Sequence, residues 1–160
     1  MIRITEEAWQ VMVEHAERQY PNECCGAMLG VVRSVVSQSA NQPAASDETV
    51  ALKEISRAVP LVNNYQGEQA DRYEINPMDL LKTDKEARTV GLELIGIYHS
   101  HPDCDAYFSK TDLENSCPWY SFVVLSIQKG VFHHANSFLP NAEQTHAEPE
   151  TLLIPTTKSA

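Results

Sequence analysis

A short apolar segment that ends in two histidines constrains this chain more than any other feature. Residues 92–98 read Leu-Glu-Leu-Ile-Gly-Ile-Tyr, and His99, Ser100, His101 and Pro102 follow directly. The abundance of strand-forming residues predicts a buried strand, in which alternate side chains face the same way. His99 and His101 therefore project from one face, and Pro102 ends the hydrogen bonding because proline has no N–H to donate.

A carboxylate follows the two histidines at a spacing that suits a metal site. The segment Ser-Lys-Thr-Asp at 109–112 is typical of a helix start, so Asp112 can return to both imidazoles from the first helical turn. Two imidazole nitrogens and one carboxylate oxygen suit Zn²⁺ and leave its fourth position for water. Ser109 and Asp112 also fit a capping box, which needs no metal. The upstream His-x-His-Pro favours the ligand interpretation, and a capping serine can still present its hydroxyl to a substrate.

Together these residues resemble the motif of the JAMM metalloproteases, also called MPN-plus or Mov34/PAD-1-like proteins. His99, His101, Ser109 and Asp112 stand at each defining position of that motif. The family also has a glutamate near the end of its first helix, before Cys-Gly and an apolar strand. Glu23 occupies that place in Pro-Asn-Glu-Cys-Cys-Gly, and the resemblance extends over residues 5–127.

The resemblance implies a role for each of these residues. His99, His101 and Asp112 would bind zinc, which lowers the pKa of a bound water to about 7 in hydrolases. Glu23 would take the proton of that water and pass it to the leaving amine. Ser109 would donate a hydrogen bond to the oxyanion of the tetrahedral intermediate. Without the downstream motif, Glu23 would be interpreted as a solvated acid at a helix end.

The loop between the histidines and Asp112 leaves alternatives open. Cys104 is a candidate fourth ligand or oxidation target, although an ordinary loop thiol is the simpler interpretation. Asp103 and Asp105 are competitors of Asp112 for the metal, but the Ser-x-x-Asp spacing favours Asp112. The other histidines are interpreted as ordinary core or surface residues: His15, His133, His134 and His146.

The periodicity of apolar residues predicts a domain that mixes helices and strands. Predicted helices begin after Thr5, at Asn76–Pro77 and at Ser109, and predicted strands cover 27–36, 49–62 as one or two strands, 92–98, 121–127, 130–139 and 152–154. This order is typical of an α+β or α/β/α-like domain. The resemblance implies a mixed sheet flanked by helices, in a cytidine-deaminase-like MPN/JAMM fold. We expect one domain over 1–160, with its core at 5–140 and a partly flexible tail at 141–160.

The composition of the chain limits the kinds of binding partner and the cellular compartment that we expect. The formal net charge is −10, from 12 basic and 22 acidic residues, and such a chain repels phosphate backbones. We therefore expect no nucleic-acid partner. The first residues lack the apolar core of a secretory signal, and no run approaches the roughly 20 apolar residues of a membrane span. Four cysteines without a Cys-x-x-Cys pair favour reduced thiols and a cytoplasmic protein.

The resemblance implies a metal-dependent peptidase, and the size of the chain favours one kind of substrate. Eukaryotic deubiquitinases of the family carry long insertions that grip two ubiquitins, for which 160 residues leave little room. The chain is more similar to compact bacterial members, which resemble processors of ubiquitin-like sulfur-carrier proteins. We therefore expect hydrolysis after the C-terminal Gly-Gly of such a carrier, in a groove walled by residues 37–48 and 63–72.

Other functions compete with this expectation. A catalytically inactive MPN-type scaffold would only bind partners, but it has no need of an intact set of Glu, His, His, Ser and Asp. A general metallopeptidase with another substrate is a second alternative. A zinc deaminase requires a Pro-Cys-x-x-Cys segment for its metal, and the chain contains none.

Overall fold

The computed structural model describes residues 1–36 and 49–156. In chain order the elements are β1 (Ile2–Ile4), α1 (Glu6–Gln19), β2 (Cys25–Val36), β3 (Thr49–Leu61), α2 (Pro77–Thr89), β4 (Glu93–Pro102), α3 (Lys110–Glu114), β5 (Ser121–Gln128), β6 (Val131–Pro140), β7 (Ala147–Glu150) and β8 (Leu152–Leu153). All of these strands join one sheet in the order β7-β6-β5-β4-β2-β3-β1-β8. The sheet is mixed, because β4 pairs with β5, and β1 with β3 and β8, in parallel, whereas the other pairs are antiparallel.

Helix α1 covers one face of the sheet. Thr5 caps it, since its side chain accepts a hydrogen bond from the Ala8 N–H, and two glutamates occupy its first turn. The helix buries an apolar stripe that includes Trp9, Met12 and Ala16. This stripe packs on a core that includes Ile2, Ile4, Met28, Ile55, Tyr98, Leu125 and Ile127.

Helix α2 covers the opposite face. Asn76 caps this helix and Pro77 occupies its first position, as the sequence predicts. Ala87 of α2 packs in one cluster with Ala27 and Leu29 of β2. The strands of a sheet present alternate residues to its two faces, so these helices lie on either side of one sheet. The prediction of an α+β fold with a mixed sheet flanked by helices is therefore confirmed.

Several details differ from the sequence prediction. Residues 49–61 form one strand, and β4 continues past the predicted end at 98 to Pro102, so it includes both motif histidines. Strands β1 and β7 have no counterpart in the prediction. Ile2 of β1 is fully buried, so the core begins before residue 5. Residues 37–48, expected to form a polar loop and a wall of the substrate groove, lie outside the described residues.

Strands β7 and β8 also place residues 147–153 of the expected tail in the sheet. The edge strand expected at 152–154 is observed, paired in parallel with β1. No helix within the described residues has both the length and the hydropathy that crossing a bilayer requires.

Candidate metal centre

The pairing of β2 with β4 joins the two separate parts of the sequence motif. Cys25 pairs with His99 in this antiparallel register. The pairing continues beyond the ladder, because the Ser100 N–H donates to the carbonyl of the residue before Cys25 at 3.2 Å. The same register sets Glu23 opposite His101. Strand register, rather than proximity along the chain, therefore brings the upstream glutamate to the histidines.

Four buried acidic and imidazole side chains meet there: Glu23, His99, His101 and Asp112. One ligand atom from each lies within 4.8 Å of the others. Nε2 of His99 and Nε2 of His101 lie 3.1 and 3.0 Å from the same oxygen, Oδ2 of Asp112. Oε1 of Glu23 lies 3.8 Å from Nε2 of His101. The structure thus brings together four of the five site residues that the sequence predicts.

The fifth residue, Ser109, positions the Asp112 carboxylate. Ser109 caps α3 in a capping box: its Oγ accepts from the Asp112 N–H at 3.0 Å, and its own N–H donates to Asp112 Oδ2 at 3.0 Å. Oδ2 of Asp112, which accepts the Ser109 N–H in the capping box, is thereby directed toward both imidazoles. Because the Ser109 Oγ acts as an acceptor in the cap, its hydroxyl hydrogen stays available to another partner. The capping and functional interpretations are therefore compatible.

The hydrogen bonds of His101 fix which of its nitrogens carries a proton. Nδ1 lies 2.9 Å from the backbone carbonyl of Asp105, which only accepts, so Nδ1 is the donor. In a neutral imidazole, Nε2 then presents a lone pair. That lone pair faces Oδ2 of Asp112 at 3.0 Å, so two acceptors point at each other. A cation bound between them turns this repulsion into attraction.

Unsatisfied polar atoms also favour a metal ion at this point. Within the described residues, Oε2 of Glu23 and both ring nitrogens of His99 are buried without a hydrogen-bond partner. Leaving such atoms unpaired carries a substantial free-energy penalty, so they need an explanation. Two imidazoles and a carboxylate form a donor set that zinc accepts, and the four side chains fit a metal centre.

The pKa values of the two carboxylic acids in the cluster, Glu23 and Asp112, are shifted in opposite directions. Burial, followed by the negative charges of Asp112 and Asp71, raises the pKa of Glu23 to about 9. Burial opposes ionisation of Asp112 as well, but the nearby rings of His99 and His101 and the N–H of Ser109 hold its pKa well below the usual range. The same cluster therefore contains one carboxylate that stays ionised and one carboxyl group that holds its proton strongly.

The surroundings of His99 favour its neutral form. Burial lowers its pKa, although the carboxylate of Asp112 opposes this shift. The ring of Tyr73 stacks on the His99 ring at 4.6 Å. No sequence motif marks Tyr73, which precedes α2, and only the folded chain brings it to His99. A neutral imidazole is the form that binds metals.

The segment 63–72, expected as a groove wall, holds the backbone of Glu23. The Glu23 N–H donates to the carbonyl of Gln69 at 2.7 Å. The side-chain amide of Asn63 donates to the Glu23 carbonyl at 3.1 Å. Sequence reasoning did not identify Asn63 or Gln69, since polar loop residues carry no pattern that points to a backbone partner.

The alternative ligands in the loop after β4 do not join the cluster. Cys104 is exposed and lies outside the group of four metal-ligand candidates. The carboxylate of Asp103 accepts hydrogen bonds from the Tyr20 hydroxyl at 2.6 Å and from the Lys129 N–H at 2.8 Å. Asp105 contacts the cluster through its backbone carbonyl, toward His101, and its carboxylate lies 3.9 Å from Nε2 of His134. The geometry therefore favours Asp112 as the carboxylate ligand.

A family model described as prokaryotic homologs of the JAB domain matches residues 5–138. The chain belongs to this family. The predicted membership of the JAMM/MPN-plus group is thereby confirmed.

Relatives with established names match parts of the chain. A desampylase of Pyrococcus furiosus is 35% identical over 60 residues, which are 38% of this chain and 43% of that protein. A desampylase of Haloferax volcanii is 33% identical over 66 residues, 41% and 48% of the two chains. The chain therefore spans less than half the length of these relatives. A CysO-cysteine peptidase of Mycobacterium tuberculosis is 27% identical over 128 residues, 79% of this chain and 74% of that protein.

Two structures solved in solution share the fold. A protein of Desulfitobacterium hafniense matches with a TM-score of 0.73 at 24% identity, over 99% of this chain and 96% of that one. A protein of Salinibacter ruber matches with a TM-score of 0.61 at 23% identity, over 99% and 94% of the two chains. At this level of identity the likeness concerns the fold alone.

Proposed function

We propose that this JAB-family chain is a cytoplasmic zinc-dependent peptidase or isopeptidase. Its substrate would be a ubiquitin-like sulfur-carrier protein, hydrolysed just after the C-terminal Gly-Gly. The observation that carries the proposal is the convergence of two imidazole nitrogens on one carboxylate oxygen, with a buried glutamate beside them. Relatives named desampylase and CysO-cysteine peptidase support the choice of substrate class.

His99, His101 and Asp112 are the proposed metal ligands. Bound there, zinc would supply a hydroxide nucleophile at neutral pH and a Lewis acid for the scissile carbonyl. The carbonyl of Asp105 keeps the proton of His101 on Nδ1, so Nε2 is free to coordinate. The nearby imidazoles, together with the Ser109 N–H of the capping box, keep Asp112 ionised. These contacts favour the forms of His101 and Asp112 that bind a metal ion.

Glu23 is the proposed general base and acid. Its carboxyl group is buried beside the histidines, and its pKa of about 9 means that it holds a proton at neutral pH in the metal-free protein. The positive charge of a bound zinc ion would lower this pKa and favour the carboxylate, the form that accepts a proton from water. In the proposed reaction Glu23 Oε1 or Oε2 removes a proton from the attacking water and then delivers it to the leaving amine. The amine leaves as a neutral group, and Glu23 returns to its carboxylate form.

Ser109 is the proposed donor to the oxyanion of the tetrahedral intermediate. Its Oγ accepts the Asp112 N–H, which fixes the hydroxyl at the first turn of α3 and leaves its hydrogen to donate. A donor held in place before the reaction stabilises charge that develops only in the transition state.

A Gly-Gly tail suits the surroundings of the cluster. The rings of Tyr73 and Tyr107 pack on His99 and His101 at 4.6 and 5.0 Å, so aromatic groups line the metal centre. A backbone without Cβ atoms can approach between such groups where larger residues would clash. The segment 63–72, which is hydrogen-bonded to the Glu23 backbone, is the proposed wall of the substrate groove.

The proposal is tested with a sulfur carrier extended by a few residues beyond its Gly-Gly. Zinc-loaded protein should release the extension, as measured by mass spectrometry, and should not cleave a carrier whose last two residues are changed to Ala-Ala. Chelation of zinc, or His99→Ala, should abolish both metal binding and cleavage. Equal cleavage of both carriers, or turnover of unrelated peptides only, would favour a general metallopeptidase. Carrier binding without any cleavage would favour the inactive scaffold.

A further inference from the structure

The loop between β4 and α3 is held by side chains of a strand that the sequence motif does not include. Ala106, at the middle of this loop, is only 1% exposed. Its N–H donates to Nε2 of His134 at 3.0 Å, and its carbonyl accepts from the side-chain amide of Asn136 at 2.9 Å. His134 and Asn136 both belong to β6. Strand β6 therefore anchors both polar groups of one loop residue.

The N–H that His134 binds and the carbonyl that His101 binds belong to one peptide unit. The carbonyl of Asp105 accepts from Nδ1 of His101 at 2.9 Å, and the N–H of the same unit is that of Ala106. A trans peptide is planar, and its C=O and N–H point in opposite directions. His101 and His134 thus bind the two ends of a single rigid group, and turning that group breaks both hydrogen bonds.

The backbone C=O and N–H of this peptide unit can only accept and only donate, and they set the direction of every hydrogen bond in the series. An amide N–H only donates, so Nε2 of His134 is an acceptor and, in the neutral ring, Nδ1 carries the proton. Nδ1 of His133 lies 2.7 Å from Nδ1 of His134 and accepts that proton. The direction of donation is therefore the same along the whole chain, from His101 through the peptide to His134 and on to His133. Aligned hydrogen bonds polarise and strengthen one another.

We propose that His134 is a positioning residue for the metal centre. By holding the peptide between Asp105 and Ala106, it keeps the proton of His101 on Nδ1 and directs the Nε2 lone pair toward Asp112. If that peptide turned, His101 would lose its acceptor, and a proton on Nε2 would occupy the position that a metal ion needs. The inference rests on the proposed metal centre, but it concerns His134, to which the motif assigns no role.

The first measurement is the zinc affinity of full-length variants, by competition with a fluorescent chelator. His134→Leu removes the acceptor and should weaken zinc binding about 10–100-fold, the effect typical of groups that orient a ligand. His134→Gln retains an acceptor at a similar reach and should restore most of the affinity. His146→Leu, the same change at an exposed histidine that contacts Glu148, should bind zinc like the wild type. Wild-type affinity in His134→Leu would overturn the proposal.

The second measurement needs no metal. Nitrogen-15 NMR of the His101 ring, in metal-free protein at a pH where imidazoles are neutral, identifies the protonated nitrogen. The wild type and His134→Gln should show the proton on Nδ1, and His134→Leu should show a shift of the population toward Nε2. The same tautomer in all three proteins, or a wild-type proton on Nε2, would refute the role of His134.

A further variant covers the case in which His134→Leu does not fold. Asn136→Asp cannot donate to the Ala106 carbonyl, so it should loosen the same loop and change the His101 tautomer in the same direction. An unchanged His101 ring in a folded Asn136→Asp protein would count against the anchoring by β6. A wild-type protein that binds no zinc would refute the proposed function, while the tautomer measurement would still decide the role of His134.

Discussion

The change Glu23→Gln tests both the chemistry and the electrostatics of the metal centre. Glu23 is 1% exposed, and its Oε2 has no hydrogen-bond partner within the described residues. Burial, reinforced by Asp112 and Asp71, raises its pKa from 4.5 to about 9. Glutamine has nearly the same shape and remains neutral at every pH. The variant therefore removes one titration and leaves the packing in place.

The expected gain in stability follows from the shifted pKa. Between pH 4.5 and 9 the folded protein keeps a proton on Glu23 that the unfolded chain has released, so the free energy of unfolding falls as pH rises through this window. At about 1.36 kcal/mol per pH unit, the loss relative to a neutral side chain reaches about 3 kcal/mol at pH 7. Metal-free Glu23→Gln should therefore be more stable than the wild type at pH 7 and 9, and equally stable near pH 4.

Activity should change in the opposite direction. Glutamine can neither accept the proton of water nor deliver one to an amine, so kcat should fall about 10²–10⁴-fold. Zinc binding should persist, because His99, His101 and Asp112 are unchanged. Loss of zinc from this variant would instead make Glu23 a ligand, which its position within 4.8 Å of the other three ligand atoms also permits.

The assay is denaturant unfolding of metal-free wild type and variant across this pH range, paired with metal analysis and turnover of the extended carrier. Glu86→Gln is the matched control, because Glu86 lies exposed on α2, outside the proposed groove, and should show neither effect. With zinc bound, the positive charge lowers the pKa of Glu23, so the difference in stability should shrink. A variant with the stability of the wild type at all pH values would refute the electrostatic reasoning. A variant with near-wild-type turnover would refute the general-base role.

Three further changes test other contacts. Ser109→Ala removes the cap of α3 and the proposed oxyanion donor, so we expect unfolding to become easier by about 0.5–2 kcal/mol and kcat to fall about 10²–10³-fold. Its zinc content should be unchanged by metal analysis, and an unchanged kcat would leave Ser109 with the capping role alone. Tyr98→Phe leaves Nδ1 of the buried His15 without its partner at 2.9 Å, and denaturant unfolding should show a loss of about 1–3 kcal/mol. Adding His15→Leu should recover part of that loss, and no loss in the single variant would contradict the hydrogen bond. Lys53→Met removes the closer of two ion pairs of the Glu150 carboxylate, at 2.9 Å, and leaves this side chain, which is 2% exposed, with the N-terminal amine at 3.6 Å. This change should lower the Tm through a destabilisation of about 3 kcal/mol, and an unchanged Tm would mean that Glu150 finds another partner.

The parts of the site whose geometry depends on residues close together in the chain were predictable from the sequence. The alternation of a strand predicts that His99 and His101 face the same way, and both lie against the same oxygen of Asp112. The Ser-x-x-Asp spacing predicts a capping box, which the structure contains with both of its hydrogen bonds. Each inference involves residues only a few positions apart, whose relative geometry follows from the dihedral angles of one element. The predictions of cytoplasmic location and absence of a nucleic-acid partner stay predictions.

Contacts between distant segments were not predictable in the same way. Strand β1 is too short to show a period, and β7 contains a proline and two glutamates, so neither has the pattern of a strand. Both become strands because partners on β3 and β6 supply hydrogen bonds. Tyr73 carries no motif either, and its role beside His99 depends on the path of the chain before α2.

The sequence by itself determined which residue types this protein offers to a metal and which faces of its elements carry them. It also determined family membership, because the motif consists of particular residue types at fixed spacings along the chain. Only the tertiary structure decided that the register of β2 against β4 sets Glu23 opposite His101. It alone decided that one peptide unit, held by His134 of β6, fixes the His101 proton. The physical reason is that register and loop anchoring depend on hydrogen bonds between strands far apart in the chain, and no local spacing encodes them.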